Sequence, residues 1–326
     1  MRIAILGGTR FIGVAIAEEL VTGGHEVLLI HKGTNDPPEL ADLAHVHCDR
    51  ADADAVRAAL DGHNAQALID TCAYTAADAD TTMRALPGGL RTVVLSSMDT
   101  YRAFGSLHAD EVTDPLPLDE DSPVRERRYL FRGTQHPIGL DTEDYENLDV
   151  EDRYLPAGAT VLRLPMVYGE RDRMRREDLV LARVRAGRGQ IPFGAGTFLW
   201  TRGWVRDVAR AVHLAVGNDE VAGRTFNIGE ARTWSIEQWA RKILTAAGSD
   251  AELVRVPDDR LPEDLRITAA IRQHMLVDSS RARQALGWRD TDPEEALERS
   301  VAWHLAHPSD EPFDAAADDA ALAAAL

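Results

Sequence analysis

The residues with the clearest chemical potential lie at the start of the chain, where a glycine-rich segment follows the apolar run Ile3–Leu6. The segment reads Gly7, Gly8, Thr9, Arg10, Phe11, Ile12 and Gly13. Glycines permit a tight turn, and the free N–H groups at the start of a following helix bind a pyrophosphate with the help of the helix dipole. The segment therefore predicts a dinucleotide site, although a βα unit of another doubly wound fold gives a similar pattern.

A second group of residues bears on which dinucleotide binds. An Asp or Glu at the end of the second strand of such a fold accepts hydrogen bonds from the ribose hydroxyls of NAD. Here the predicted strand is followed by His31 and Lys32, and no carboxylate occurs before Asp36. Lys32, helped by Arg10 and His31, favours the extra phosphate of NADP. We expect NADP as the cofactor and NAD as the weaker ligand, although an exposed lysine at a strand end needs no such role.

These residues require a sheet that brings several strand ends together. Apolar runs alternate with segments of helical spacing over the first half of the chain. The predicted strands cover residues 3–6, 26–30, 44–49, 67–72, 91–97 and 159–164. The predicted helices begin near residues 14, 52, 76 and 143. Successive strand–helix–strand units give right-handed crossovers with ligands at the carboxyl ends of the strands. The fold class is therefore α/β, a Rossmann-type doubly wound parallel sheet with a smaller mixed C-terminal lobe.

The same pattern predicts a division of the chain. Residues 1–166 form the dinucleotide-binding domain, and residues 204–230 return to it with one strand. Residues 167–203 and 231–312 form a substrate-binding lobe. The remaining residues, 313–326, consist almost only of Ala, Asp and Leu, and we expect a mobile acidic tail.

Composition excludes several classes of partner. The net charge of −18 argues against nucleic acid and anionic membranes, because both attract a positive surface. The two cysteines, Cys48 and Cys72, show no metal-ligand spacing, so no metal site is predicted. Met1 is followed directly by a core strand, and no apolar run approaches the roughly 20 residues of a membrane span. We expect a cytoplasmic protein with a small-molecule substrate, and a homodimer is compatible with the sequence.

Widely separated segments, in the same order along the chain, resemble those of the extended short-chain dehydrogenase/reductases, also called NAD-dependent epimerase/dehydratases. The segments are 7–13, 95–101, 163–169, 204–211, 227–229 and 278–288. The resemblance extends from Met1 to about His307. It implies a Rossmann domain that binds a nicotinamide dinucleotide, and a C-terminal lobe that closes over the substrate.

The resemblance also implies cofactor contacts. Gly7, Gly8 and Gly13 correspond to residues around the pyrophosphate, and Arg10 replaces the usual middle glycine, which adds a cation. Further positions follow from the motifs: Asp49 and Arg50 beside adenine, Ala73 and Tyr74 beside a ribose, and Pro165 and Met166 after the sixth predicted strand.

The catalytic motif departs from the family. Family members use a Tyr to transfer the proton and a Lys four residues later to lower the phenol pKa. The chain contains only two lysines, at positions 32 and 242, and neither lies in the expected helix. One alignment takes Tyr145 as the tyrosine, with Asp149 at the lysine position. The other puts Glu143 at the tyrosine position and Asn147 at the lysine position.

The resemblance nevertheless names catalytic candidates. Ser97 matches the serine that hydrogen-bonds the substrate oxygen, although a strand-end hydroxyl can also cap backbone groups. The proton source is Tyr145, Tyr101, a loop side chain or bound water. Carboxylates near Tyr145, namely Glu143, Glu146 and Asp149, would raise its pKa if they are close and ionised. A raised pKa favours carbonyl reduction over alcohol oxidation.

The sequence thus predicts an NAD(P)-dependent oxidoreductase that reduces a carbonyl of a small polar metabolite, such as a sugar derivative or a secondary-metabolite ketone. Two alternatives stay open. One is a non-redox isomerase, epimerase, cyclase or lyase that retains the cofactor fold. The other is an NADP-sensing protein without catalytic activity.

Overall fold

The computed structural model describes residues 1–107, 111–136, 139–309 and 313–325. Its strands are β1 (Arg2–Leu6), β2 (Glu26–His31), β3 (Ala44–His47), β4 (Ala67–Asp70), β5 (Arg91–Ser97), β6 (Thr160–Leu164), β7 (Met166–Tyr168), β8 (Gln190–Phe193), β9 (Arg202–Trp204), β10 (Thr225–Asn227) and β11 (Glu252–Arg255). Seven of them form one sheet in the order β10-β6-β5-β4-β1-β2-β3. All of its strand pairs are parallel. The predicted Rossmann-type doubly wound sheet is confirmed, because this order places the switch point next to β1.

Helices cover both faces of the sheet. They are α1 (Phe11–Thr22), α2 (Ala53–His63), α3 (Ala76–Ala85), α4 (Arg102–Leu107), α5 (Asn147–Tyr154), α6 (Asp178–Arg185), α7 (Val205–Val216), α8 (Ile236–Ala246), α9 (Ser280–Ala285), α10 (Pro293–Ala306) and α11 (Ala315–Leu322). Across the described part of the chain, none of the helices combines the length with the apolar character needed to cross a lipid bilayer.

Successive side chains of β1 pack on opposite faces of the sheet, which shows why the sheet is buried on both sides. Ile3 and Ile5 pack in the cluster that contains the apolar faces of α1 and α7. Ala4 and Leu6 point to the opposite face, where they pack in the cluster that includes side chains of α2. A parallel sheet covered on both faces needs such continuous apolar strands.

The elements after β6 form two small parallel sheets, β7 with β9 and β8 with β11. The chain returns from these elements to the main sheet at β10, which pairs with β6 so that Phe226 lies opposite Leu162. The sequence predicted that residues 204–230 return one strand to the main sheet, and β10 is that strand.

Helix α5 begins later than the sequence predicted. The predicted helix covers residues from 143, whereas α5 starts at Asn147 with Glu146 as its N-cap. The Glu146 carboxylate accepts a hydrogen bond from the Leu148 N–H at 3.0 Å. The backbone N–H of Glu146 donates to the Tyr74 carbonyl oxygen at 2.9 Å. Tyr145 therefore lies immediately before the helix. The first alignment requires Tyr145 and Asp149 to share one helix face, but Tyr145 lies outside the helix.

The C-terminal segment, which we expected to be mobile, contains helix α11. Its Asp318 is fully buried and accepts two hydrogen bonds from the guanidinium of Arg183 in α6, at 2.8 and 3.0 Å. Arg183 is also fully buried and pairs with Asp264. A buried guanidinium requires such partners, since its desolvation is otherwise very costly. This ion pair attaches the segment to the rest of the protein.

Substitution of Asp318 by Asn should lower the free energy of unfolding by about 2–4 kcal/mol, because it removes a charge partner from a buried arginine. Asp319→Asn is the matched control: Asp319 lies on the same helix, and its side chain is 65% exposed and pairs with Arg188. An exposed pair contributes less than about 1 kcal/mol. Urea unfolding of the two variants measures the difference, and equal losses would contradict the role assigned to Asp318.

Candidate active site

A cleft of about 370 Å³ lies where β1, β4 and β5 end. Its floor consists of residues 7–13, which connect β1 to α1, together with Thr71 and Cys72 after β4. Ser96 and Ser97 come from the end of β5, and Pro165 follows β6. Ligands of doubly wound sheets bind at such a switch point, so this cleft is the expected dinucleotide site.

The glycine-rich loop has a shape that only glycine permits. Gly7 and Gly8 have φ angles of +94° and +84°. A Cβ at Gly13 would lie 2.5 Å from the Gly8 Cα atom, and one at Gly7 would lie 2.5 Å from the Thr71 Oγ1 atom. The turn is tied to β4 by the Gly8 N–H, which donates to Thr71 Oγ1 at 3.2 Å. The first N–H groups of α1 have no partner within the helix, so this turn fits a pyrophosphate.

Cationic side chains line the same cleft although the protein is acidic overall. Arg10 lies on the glycine-rich loop, and Arg173 and Arg176 come from the loop after β7. The pKa of Arg173 is lowered by burial and then by Arg10, which means that the two guanidinium groups repel each other across the cleft. An anionic ligand between them would relieve this repulsion.

A hydrogen-bonded group of three side chains lies at the cleft beside Ser97. The Tyr145 hydroxyl donates to Asp99 Oδ2 at 3.1 Å and accepts from Asn147 Nδ2 at 2.8 Å. Asn147 Nδ2 also lies 3.0 and 3.1 Å from the Asp99 carboxylate oxygens. Tyr145 and Asn147 line the cleft, whereas Asp99 lies behind them and is 3% exposed. We refer to Asp99, Tyr145 and Asn147 as the phenol cluster.

The phenol cluster strongly favours the neutral form of Tyr145. Burial raises the pKa of Tyr145 well above its usual value, and the Asp99 carboxylate raises it further. The sequence predicted a raised pKa, but from other acids. Asp149 instead bonds the Tyr129 hydroxyl at 2.9 Å, and Glu146 pairs with Arg125 at 2.8 Å.

Arg125 holds the phenol cluster in place from behind. Its guanidinium donates to both Glu146 oxygens, at 2.8 and 3.2 Å, and Glu146 caps the helix that begins with Asn147. The Arg125 Nε–H also donates to the Asp99 carbonyl oxygen. Burial raises the pKa of Asp99, while Arg125 and the Asn147 amide counteract the shift. Arg125 is itself only 5% exposed, so it acts as a positioning residue for the phenol cluster.

The structure brings only some of the predicted cofactor residues together. Those that line the cleft are Gly7, Gly8, Thr9, Arg10, Phe11, Ile12, Gly13, Tyr74 and Pro165. The others lie outside its lining: His31, Lys32, Asp49, Arg50, Ala73 and Met166.

Lys32 and Asp49 form an ion pair of 3.1 Å at the ends of β2 and β3, with both side chains at least half exposed. Arg50 points into the protein, where its Nη2 atom donates to Asp70 at 2.9 Å and to Thr82 at 3.0 Å. Contact between Arg50 and adenine would require these bonds to break. Ala73 is buried below α5, and Met166 lines a second cleft.

Two of the catalytic candidates differ in their surroundings. Ser97 lines the first cleft, and its Oγ accepts a hydrogen bond from the Asp99 N–H at 3.1 Å, so it both faces ligand and caps the turn. Tyr101 is fully buried, and its hydroxyl donates to Asn227 at 2.8 Å. Burial raises the pKa of Tyr101 to about 12. The structure therefore gives Tyr101 a packing role and argues against the proton transfer suggested by the sequence.

Sequence reasoning missed Asp99 as a functional residue. The sequence did contain a signal for Asp99, because this residue follows Ser97 by two positions at a strand end.

Both lysines lie away from the phenol cluster: Lys32 pairs with Asp49, and Lys242 in α8 pairs with Glu294 at 2.6 Å. Asn147, which the second alignment puts at the lysine position, donates a hydrogen bond to the Tyr145 hydroxyl at 2.8 Å.

Comparisons with known proteins agree with the geometry. The chain is 24% identical over 303 residues to the chloroplast stem-loop binding protein of 41 kDa b of Arabidopsis thaliana, covering 88% of this chain and 75% of that protein. It is 24% identical over 275 residues to 2'-dehydrokanamycin reductase of Streptomyces kanamyceticus, covering 81% and 72% of the two chains.

Solved structures share the fold at lower identity. UDP-glucose-4-epimerase from Stenotrophomonas maltophila, with bound NAD and formylated UDP-arabinopyranose, matches with a TM-score of 0.70 and 19% identity. The match covers 94% of this chain and 98% of that one. The model of the NAD dependent epimerase/dehydratase family matches residues 3–101 and 148–229, which is more than half of the chain. With its glycine-rich turn at the switch point of a doubly wound sheet, this protein belongs to the NAD dependent epimerase/dehydratase family of enzymes.

Proposed function

We propose that the protein is an NAD(P)-dependent oxidoreductase of the extended short-chain type that reduces a carbonyl of a small polar metabolite. The observation that carries this proposal is the hydroxyl of Tyr145, which lines the dinucleotide cleft with Asp99 and Asn147 as its partners. The two lysines of the chain, Lys32 and Lys242, both pair with acids away from Tyr145, so neither stabilises a phenolate there. A tyrosine in this setting gives up a proton to a developing alkoxide more readily than it removes one from an alcohol.

The residues of the cleft have separate roles in such a reaction. The reduced nicotinamide, when bound, supplies the hydride to the carbonyl carbon. Ser97 donates a hydrogen bond to the carbonyl oxygen, and Tyr145 transfers its proton to that oxygen. Asp99 accepts a hydrogen bond from the Tyr145 hydroxyl and so holds it in position, and solvent that enters the cleft after product release would return a proton to Tyr145. The glycine-rich loop and the arginines on the opposite wall hold the phosphates.

The second cleft supports a substrate-binding role for residues 167–203 and 231–312. Its volume is about 740 Å³, and Arg173, Met174 and Arg176 line both clefts. The apolar part of its lining includes Trp200, which is partly exposed. An aromatic ring next to guanidinium groups suits a polar, ring-shaped substrate such as a sugar derivative. The relative named 2'-dehydrokanamycin reductase supports a ketone of this kind.

A panel of sugar-derived ketones with NADPH tests the proposal. Loss of the NADPH absorbance band, equal to the alcohol formed, is the expected result. Conversion of a substrate without net loss of NADPH would instead support the isomerase, epimerase, cyclase or lyase alternative. Tight NADPH binding without conversion of any compound would favour the sensing protein.

The preference for NADP rests on Lys32. Lys32→Ala should raise the Kd for NADPH roughly tenfold, because a charge-assisted contact to the ribose phosphate is worth about 1.5 kcal/mol. The Kd for NADH should stay constant. Lys242→Ala is the matched control, since the only other lysine of the chain lies in α8 and pairs with Glu294.

Fluorescence titration of both coenzymes measures these constants. If the wild-type protein binds NADH more tightly than NADPH, the proposed preference is wrong. The proposed carbonyl reduction would still stand, with NAD as its cofactor.

A further inference from the structure

Three histidines and one aspartate meet at the carboxyl ends of β2 and β3. The parallel register places His31 opposite His47, and His45 precedes His47 by two residues and lies on the same face. Asp36 comes from the loop after β2. One ligand atom of each of these four side chains lies within 4.8 Å of the others. We call His31, Asp36, His45 and His47 the histidine cluster.

The spacing within the histidine cluster resembles that around a bound metal ion. His31 Nε2 lies 2.8 Å from His45 Nδ1 and 3.6 Å from Asp36 Oδ1, and His47 Nε2 lies 3.4 Å from Asp36 Oδ2. Ligands about 2.0–2.1 Å from a tetrahedral metal ion lie roughly 3.3 Å apart. Ligand atoms of the cluster that lie as far as 4.8 Å apart would have to approach one another by about 1.5 Å to surround an ion.

The hydrogen bonds around the histidine cluster also suit metal ligands. His45 Nε2 lies 2.9 Å from the Leu40 carbonyl oxygen, so a proton on that nitrogen leaves Nδ1 with a free lone pair. A second ring nitrogen bonded to a backbone carbonyl is typical of metal-bound histidine, because it fixes the tautomer and the ring orientation.

Solvent can reach the histidine cluster from one side. His31 is buried, whereas the side chains of Asp36 and His47 are 51% and 52% exposed. Gly33, with a φ of +74°, turns the chain so closely over the His47 ring that a Cβ would lie 3.1 Å from it. The backbone thus encloses one side of the cluster and leaves the other open, as an entry path for an ion requires.

We propose that the histidine cluster binds one divalent transition-metal ion of the Zn²⁺ type, with three imidazoles and one carboxylate as ligands. Imidazole with carboxylate suits Zn²⁺ and its neighbours better than Mg²⁺ or Ca²⁺. The simpler explanation is a hydrogen bond between His31 and His45, which needs neither His47 nor Asp36.

His31 Nδ1 accepts a hydrogen bond from the Gly33 N–H at 3.2 Å, which places the His31 proton on Nε2, between the two rings. An ion bound at Nε2 would move that proton to Nδ1 and break the bond from Gly33. This site lies outside the lining of the dinucleotide cleft but adjoins Lys32, on which the proposed NADP preference rests. The proposed carbonyl reduction does not depend on it.

Calorimetric titration of the tag-free protein with Zn²⁺, and visible absorption spectra with Co²⁺, test this proposal without any coenzyme or substrate. We expect one Zn²⁺ per chain and the intense visible bands of tetrahedral Co²⁺. His45→Gln should weaken Zn²⁺ binding at least 100-fold, which corresponds to about 2.7 kcal/mol. Asp36→Asn, an exposed position that does not affect the core, should weaken it at least tenfold. His63→Gln, at the end of α2, should leave it unchanged.

Two results would overturn the proposal. One is the absence of stoichiometric Zn²⁺ binding by the wild-type protein. The other is equal Zn²⁺ affinity in the Asp36→Asn and His63→Gln variants, since it would place any bound ion elsewhere or reduce the cluster to a histidine pair.

Discussion

Gly13→Ala should abolish measurable binding of NADPH and NADH and, with it, all carbonyl reduction. The added Cβ would lie 2.5 Å from the Gly8 Cα atom and 2.8 Å from the Gly8 carbonyl carbon. These are backbone atoms on the other side of the turn, so the loop has to open. An opened loop no longer directs its N–H groups to one pyrophosphate, and we expect a Kd at least 100-fold higher, or about 2.7 kcal/mol.

Gly62→Ala provides the control for this loss. Gly62 lies in α2, and a Cβ there would meet nothing within 4 Å. The Gly62→Ala variant should therefore bind both coenzymes with the affinity of the wild type. Circular dichroism and thermal unfolding of the Gly13→Ala variant establish that the sheet is retained. A folded Gly13→Ala protein with wild-type affinity would show that the dinucleotide does not bind at this turn.

Tyr145→Phe should reduce the rate of carbonyl reduction by about 10²–10⁴-fold, the usual loss when a general acid is removed. The Kd for NADPH should change little, because the substitution deletes one hydroxyl and keeps the ring that stacks on Tyr74 at 5.9 Å between centroids. Single-turnover measurements at saturating NADPH separate the chemical step from binding.

Tyr129→Phe is the matched control for that experiment. The Tyr129 hydroxyl also bonds a carboxylate, that of Asp149 at 2.9 Å, but Tyr129 does not line the dinucleotide cleft. The Tyr129→Phe variant should keep the wild-type rate of carbonyl reduction. Equal turnover of the Tyr145→Phe variant and the wild type would remove Tyr145 from the reaction and leave water or another side chain as the acid.

The fold was predictable because its signals are local. The central strands of the main sheet are short apolar runs, and the glycine-rich turn after β1 is defined by residues adjacent in sequence. The start of α5 was not predictable in the same way. Glu146 caps that helix because Arg125, 21 residues earlier, fixes its carboxylate, and no short window of sequence contains both partners.

The active site shows the same limit. Ser97 could be identified from its position at a strand end, but Asp99 becomes a partner of Tyr145 only through a contact across 46 residues. The histidine cluster likewise depends on the register of β2 and β3, whereas the search for metal ligands in the sequence used cysteine spacing. The docked C-terminal helix depends on the buried Arg183, which polar composition could not reveal.

Isothermal titration of the purified wild-type protein with NADPH and with NADH tests the central claim most directly. The glycine-rich turn between β1 and α1, which carries Arg10 and lines one cleft together with Arg173, should bind one nicotinamide dinucleotide per chain, with NADPH the tighter ligand. If neither nucleotide binds to the folded protein, the cleft does not hold a coenzyme, and the proposed reduction by way of Tyr145 fails with it.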